Sequence, residues 1–97
     1  MKIQLTNKQI HFIKKTLRHL FPKSQFYAFG SRAKEMAKRY SDLDVLIKSS
    51  KKPSLLALSE LEEILTESDL PFKVDIIDNH RASTEFLKKI EQEAILL

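Results

Sequence analysis

The chain has 97 residues, 42% of them apolar and 31% charged, with no cysteine and a net charge of +4. This length suits one small domain spanning 1–97 with one modest core, and the lack of cysteine excludes disulfides, zinc–thiolate centres and thiol catalysis. No apolar run approaches the ~20 residues of a membrane span, and the N-terminus has no signal-peptide core, so a cytoplasmic protein is expected.

The charge is uneven. Residues 1–34 hold eight Lys or Arg and no acid, and Glu35 is the first of 13 acids. Two readings stand for this basic third: an anionic partner, or a solvated basic helix face. Thr6-Asn7-Lys8-Gln9 has the form of a capping box, and Ile10, Ile13, Leu17 and Leu20 then repeat at helical spacing. Pro22 lies just beyond the end of this first helix. Gln25–Phe29, aromatic and bounded by Ser24 and Gly30, predicts a first strand. A short second helix is expected from Ser31 to about Lys38, broken at Tyr40-Ser41 before a second strand over Asp42–Ile47.

Lys48 to Pro53 reads as a loop, and Ser54 caps a third helix with Leu55, Leu58, Leu61 and Ile64 or Leu65 as its apolar stripe. Leu70-Pro71 ends it. Phe72–Asp78 predicts a third strand, and Asn79-His80-Arg81 turns the chain. Ser83 or Thr84 caps a last helix bearing Phe86, Leu87, Ile90 and Ala94 on one side. The fold class is therefore α/β (α+β) in the order α-β-α-β-α-β-α, a small mixed sheet of about three strands with helices.

The chemistry concentrates between Phe29 and Lys48. Gly30 after a strand lets the backbone turn sharply and approach a ligand, and a helix starting at Ser31 would aim free N–H groups at it. Asp42 and Asp44, two apart at the head of a strand, send both carboxylates to one face. Like charges so close call for a cation between them, and hard oxygen ligands suit Mg²⁺ or Mn²⁺. Asp75, flanked by Val74 and Ile76, is costly to bury unless paired or metal-bound. It can join the pair if its strand lies beside theirs. Asp78 reads as a turn residue, Lys48 as solvent-facing, and the three histidines have no metal-ligand spacing.

Gly30-Ser31, ten residues, Asp42-x-Asp44 and then Asp75 in a short apolar strand together resemble the DNA polymerase β-type nucleotidyltransferase superfamily. Within it the chain is similar to the minimal nucleotidyltransferases, from the Gly-Ser turn through to the closing helix Phe86–Leu97. The resemblance implies a palm-like fold and transfer of AMP from ATP to a tyrosine of a HEPN-domain toxin, with the chain acting as its antitoxin. It further implies that Gly30 and Ser31 hold the triphosphate, that Asp42, Asp44 and Asp75 hold Mg²⁺, and that Asp75 faces the nucleophile. Arg32 would contact phosphate or the partner's tyrosine. Relatives often carry glycine at the position of Glu35. Here Lys34-Glu35 favours a longer helix and sets a negative charge near the phosphates. A partner that is only blocked sterically is the alternative function, a small-molecule acceptor a more remote one. Direct nucleic-acid binding rests on the basic third alone.

Overall fold

The computed structural model describes residues 3–38 and 40–97; Lys2, counted above among the N-terminal cations, lies outside them. Helix α1 spans Asn7–Leu20 and opens on the expected capping box. Thr6 Oγ1 accepts from the Gln9 N–H at 3.1 Å, and Gln9 Oε1 accepts from the Thr6 N–H at 2.9 Å. Two otherwise orphaned donors are satisfied in one exchange. Ile13 and Leu17 on its apolar stripe are completely buried.

Strand β1 is Gln25–Phe29, β2 is Leu43–Lys48, helix α2 is Leu55–Thr66, β3 is Val74–Asp78, α3 is Thr84–Glu91 and β4 is Ile95–Leu96. The sheet order is β3-β2-β1-β4, with β2 and β3 parallel and both other pairings antiparallel. Helix α2 is the crossover that a parallel pair requires. Alternation along the strands divides the side chains between two layers. Phe26, Ala28, Leu43, Val45, Ile47 and Val74 join Ile13, Leu17, Leu58, Leu61 and Leu65 in the main core under α1 and α2. The other face carries Phe29 and Leu46, packed against Ile90 of α3.

Several expectations are corrected: β2 runs from Leu43 to Lys48, leaving Asp42 just outside it, and β3 begins at Val74 rather than Phe72. The second helix does not form: Ser31–Glu35 makes a single turn, closed by the Met36 N–H donating to the Ser31 carbonyl at 2.8 Å. Glu35 there has φ 57°, the left-handed conformation that ends a helix and that glycine adopts without strain. Its helix propensity is overridden by this end motif. The last helix stops at Glu91 rather than continuing to the end, because Ile95 and Leu96 pair with Ala28 and Tyr27 of β1. The sheet thus has a fourth strand and the order is α-β-β-α-β-α-β. Helix α2 ends at Thr66, capped by Glu67, ahead of Leu70-Pro71. Its buried stripe is Leu58, Leu61 and Leu65, while Leu55 and Ile64 are exposed.

Asp78, expected as a turn residue, is instead the last residue of β3, and it is deeply buried at 2% exposure, its side chain holding the turn that follows. Its Oδ1 accepts from the His80 and Arg81 N–H groups, and its Oδ2 pairs with Arg81 Nη1 at 2.8 Å. Burial pushes its carboxyl up, but the Arg81 side-chain bond, the two N–H groups and the Arg81 charge together hold it below the ordinary range. A depressed folded value contributes stability above the unfolded pKa of about 3.9 and loses it as pH falls through the folded one. Asp78→Asn should therefore unfold about 1–3 kcal/mol more easily at pH 7. In urea titrations at descending pH, that gap to wild type should close below about pH 4.

A left-handed non-glycine residue costs roughly 1–2 kcal/mol, partly offset by the flexibility that glycine adds to the unfolded chain. Glu35→Gly should then raise unfolding stability by about 1 kcal/mol and Glu35→Val should lower it. Denaturant midpoints for the two variants would check both signs.

Candidate active site

The parallel register of β2 and β3 sets Asp44 directly opposite Asp75. On β1, Phe29 stands opposite Asp44. Phe29, Asp44 and Asp75 therefore form one row across three strands on the α3 face, with the Phe86 ring edge-on to Phe29 at a centroid distance of 6.0 Å. Asp42 lies one residue before β2 and is exposed. The predicted third point of the constellation is thus brought to the second, with Asp42 at the mouth of the strand.

Electrostatics follow from this row. Burial raises the Asp44 carboxyl above the ordinary range, and the charges of Asp75 and Asp42 push it further in the same direction. Asp75 leans on Lys73, whose Nζ is 3.3 Å from its Oδ1. As they stand, no three His, Asp or Glu side chains among the described residues converge closely enough to hold an ion. The donor set still suits one: three carboxylates, all hard oxygen ligands, whose mutual repulsion a divalent cation would relieve.

Gly30 closes the other side. It has φ 78°, and a Cβ at this position would come within 2.3 Å of Asp44 Oδ2. Any side chain there would be both strained and in collision with the central carboxylate, so only glycine fits. The half-buried Ser31 follows, inside the single turn described above. Because that turn is too short for a helix dipole, an anion would meet individual N–H groups instead.

Arg32, expected at the phosphates, is turned inward and only 5% exposed. Its Nε donates to the Ser41 carbonyl and its Nη1 to the Gln4 carbonyl, both at 2.9 Å, while the guanidinium stacks over Phe72 at 4.0 Å. It serves as a brace rather than a ligand-facing cation. Gln4 completes the brace. Its side-chain amide both donates to and accepts from the Ala37 backbone, at 2.7 and 3.0 Å, and its N–H donates to the Arg32 carbonyl at 2.9 Å. Gln4 was not legible as a site residue, since nothing local pairs it with a segment 33 residues away. Glu93 was missed likewise: its carboxylate reaches the Gly30 N–H at 3.4 Å and Lys34 Nζ at 2.7 Å.

A glycine turn facing a pair of strand-borne carboxylates, with a third at the strand's mouth, is the equipment of an enzyme that moves a nucleotidyl group. A family model described as polymerase beta, nucleotidyltransferase matches residues 11–97, and the chain belongs to that family.

The chain is 35% identical to the probable protein adenylyltransferase MntA of Haemophilus influenzae, over 99% of this chain and 84% of the relative. The protein adenylyltransferase MntA of Thermococcus cleftensis is 35% identical over 84% of this chain and 82% of its own length. A crystal structure of a toxin–antitoxin with AMP-PNP superposes with a TM-score of 0.80 at 29% identity, covering 94% of this chain and 72% of the matched one. A complex of tri-AMPylated Shewanella oneidensis HEPN toxin with MNT antitoxin gives 0.72 at 27% identity, covering 92% and 70%. No helix among the described residues is long and apolar enough to cross a membrane.

The raised Asp44 carboxyl has a thermodynamic consequence. Its ionised form is disfavoured in the folded state, so the charge weakens the fold above the raised folded pKa, and the penalty fades as pH falls towards the unfolded value. Asp44→Asn should raise the denaturation midpoint at pH 7 in the presence of EDTA. That gain should shrink on acidification, which parallel melts from pH 7 to 3.5 would reveal.

Proposed function

We propose that the chain transfers AMP from ATP to a hydroxyl, that of a tyrosine, on a partner HEPN toxin, and so acts as its antitoxin. The observation that carries this reading is the Asp44–Asp75 pair on adjacent parallel strands, pressed against a turn where only glycine fits. A purely steric inhibitor of this fold has no use for like charges side by side, nor for a left-handed turn with no room for a Cβ beside one of them.

In this reading Asp42, Asp44 and Asp75 hold Mg²⁺, and Gly30 and Ser31 receive the triphosphate. When bound, the metal supplies neutralisation of the phosphate charge and a lowered pKa for the attacking hydroxyl. Asp75, at the strand next to Asp44 and with its side chain 40% exposed, faces the acceptor and takes its proton. The acceptor oxygen bonds to the α-phosphorus, the bond from that phosphorus to the bridging oxygen breaks, and pyrophosphate leaves. Arg32 contributes indirectly, by fixing the loop between β1 and β2.

A protein acceptor fits the surroundings. Met36 and Tyr40, 74% and 66% exposed, stand on the loop that leads to Asp42 and offer apolar surface there. The relatives' adenylyltransferase names and the toxin–antitoxin complexes among the structural neighbours support the same acceptor class.

The test is label transfer from α-labelled ATP with Mg²⁺, with the protein encoded next to this one as acceptor. Wild type should label the partner, and Asp42→Ala/Asp44→Ala should lose at least about 10³-fold in rate. Tight binding of the partner by both forms with label from neither would replace the enzymatic reading with a steric one.

A further inference from the structure

Glu93 belongs to no motif read from the sequence, yet it touches the turn on which the proposed function depends. Two anchors place it. Behind it, Ile90 is buried and its carbonyl accepts from the N–H groups of both Glu93 and Ala94, at 3.0 and 2.9 Å. Ahead of it, Ile95 and Leu96 are zipped to Ala28 and Tyr27. Continued by two residues, that antiparallel register brings Glu93 alongside Gly30.

The carboxylate then uses both oxygens on the turn. Oε1 accepts from the Gly30 N–H at 3.4 Å, and Oε2 lies 2.7 Å from Lys34 Nζ. A backbone N–H at a glycine turn together with an ammonium four residues on is a combination suited to a phosphate oxygen. Here an internal anion already has it. The Lys34 hydrogen bond and charge, with the Gly30 N–H and the Lys89 charge, hold the Glu93 carboxyl below its ordinary range against the opposing effect of burial, so it is anionic at neutral pH. Its side chain is 23% exposed and borders solvent, which leaves it a way out.

We propose that Glu93 is an internal competitor of the nucleotide: it engages the Gly30 N–H and Lys34 in the free chain and must swing away for a triphosphate to enter. The proposal rests on the Gly30-Ser31 turn being the triphosphate site. One anion is exchanged for another, so nucleotide affinity is lowered by whatever the Glu93 contacts contribute. The opposite role, in which Glu93 holds Lys34 ready for phosphate, makes the contrary prediction.

The test is calorimetric titration of AMP-PNP and of inorganic tripolyphosphate with Mg²⁺ into wild type, Glu93→Gln and Glu93→Ala, each confirmed folded by circular dichroism. Loss of a charge-assisted contact that competes should tighten both ligands by about fivefold or more. Unchanged or weaker binding by variants of a wild type that does bind overturns the competitor role alone. Failure of every form to bind either ligand overturns the phosphate-turn reading and this proposal with it. A second measurement does not depend on the variants folding. Gly30 is the chain's only glycine, so ¹⁵N-glycine labelling gives a single amide resonance. That resonance should shift when tripolyphosphate saturates wild type. A stationary resonance at saturation would overturn the exchange of partners at Gly30.

Discussion

Two carboxylates are held shoulder to shoulder by backbone hydrogen bonding that neither of them chose. The parallel pairing of β2 with β3 is a product of apolar side chains on the opposite face, where Leu43, Val45, Ile47 and Val74 seal against α1 and α2. Once that face is buried, register is fixed, because a slip of one residue would turn every side chain over. Asp44 and Asp75 are carried along. The main core thus supplies the free energy that keeps an electrostatically unfavourable pair in place, as active sites built on rigid elements generally require.

The loop between β1 and β2 obeys a second constraint. It begins at a glycine with no room for a Cβ, passes through one turn ended by a left-handed Glu35, and returns to the sheet at Leu43, just after Asp42. Within it, the Met36 N–H bonds the Ser31 carbonyl, the Ser41 N–H the Lys38 carbonyl, and Arg32 Nε the Ser41 carbonyl. The segment ahead of α1 braces it further: Arg32 Nη1 donates to the Gln4 carbonyl, and the Gln4 side chain exchanges two bonds with the Ala37 backbone. A stacked, desolvated guanidinium with two carbonyl acceptors is well suited to that work, since Arg offers a planar fork that lysine lacks. Site geometry and loop stability are in this way the same set of contacts.

Much of this was legible in the residues, and the division has a physical logic. The α1 capping box, the bounds of β1 and the Ser54 and Ser83 caps are local signals, each complete within a few residues, and each appears in the structure. The approach of Asp75 to Asp44 was readable because an acid inside an apolar strand has few inexpensive fates. Three features were not. The end of the turn at Glu35 runs against that residue's propensity, β4 is two residues long and exists only through pairing with β1, and Arg32 looks like a phosphate contact until Phe72 is known to lie beneath it. The first sets a local end motif against a propensity, and the other two depend on partners distant in the chain. Glu93 and Gln4 were invisible for the same reason.

The position of Gln4 bears on how such a protein can be handled and joined to others. Residues ahead of the first helix are commonly treated as a free leader, suitable for an affinity tag or a fusion junction. Here that leader is stitched to Ala37 and Arg32, on the strap that carries the chain from Gly30 to Asp42. A bulky attachment placed directly before Gln4 would strain these contacts, and a version of the chain begun at Thr6 would lose them together with the packing of Ile3 and Leu5 on the main core. The strap from Gly30 to Asp42 would then lose part of what holds it, and the chemistry of a protein prepared that way would be a poor guide to that of the intact chain.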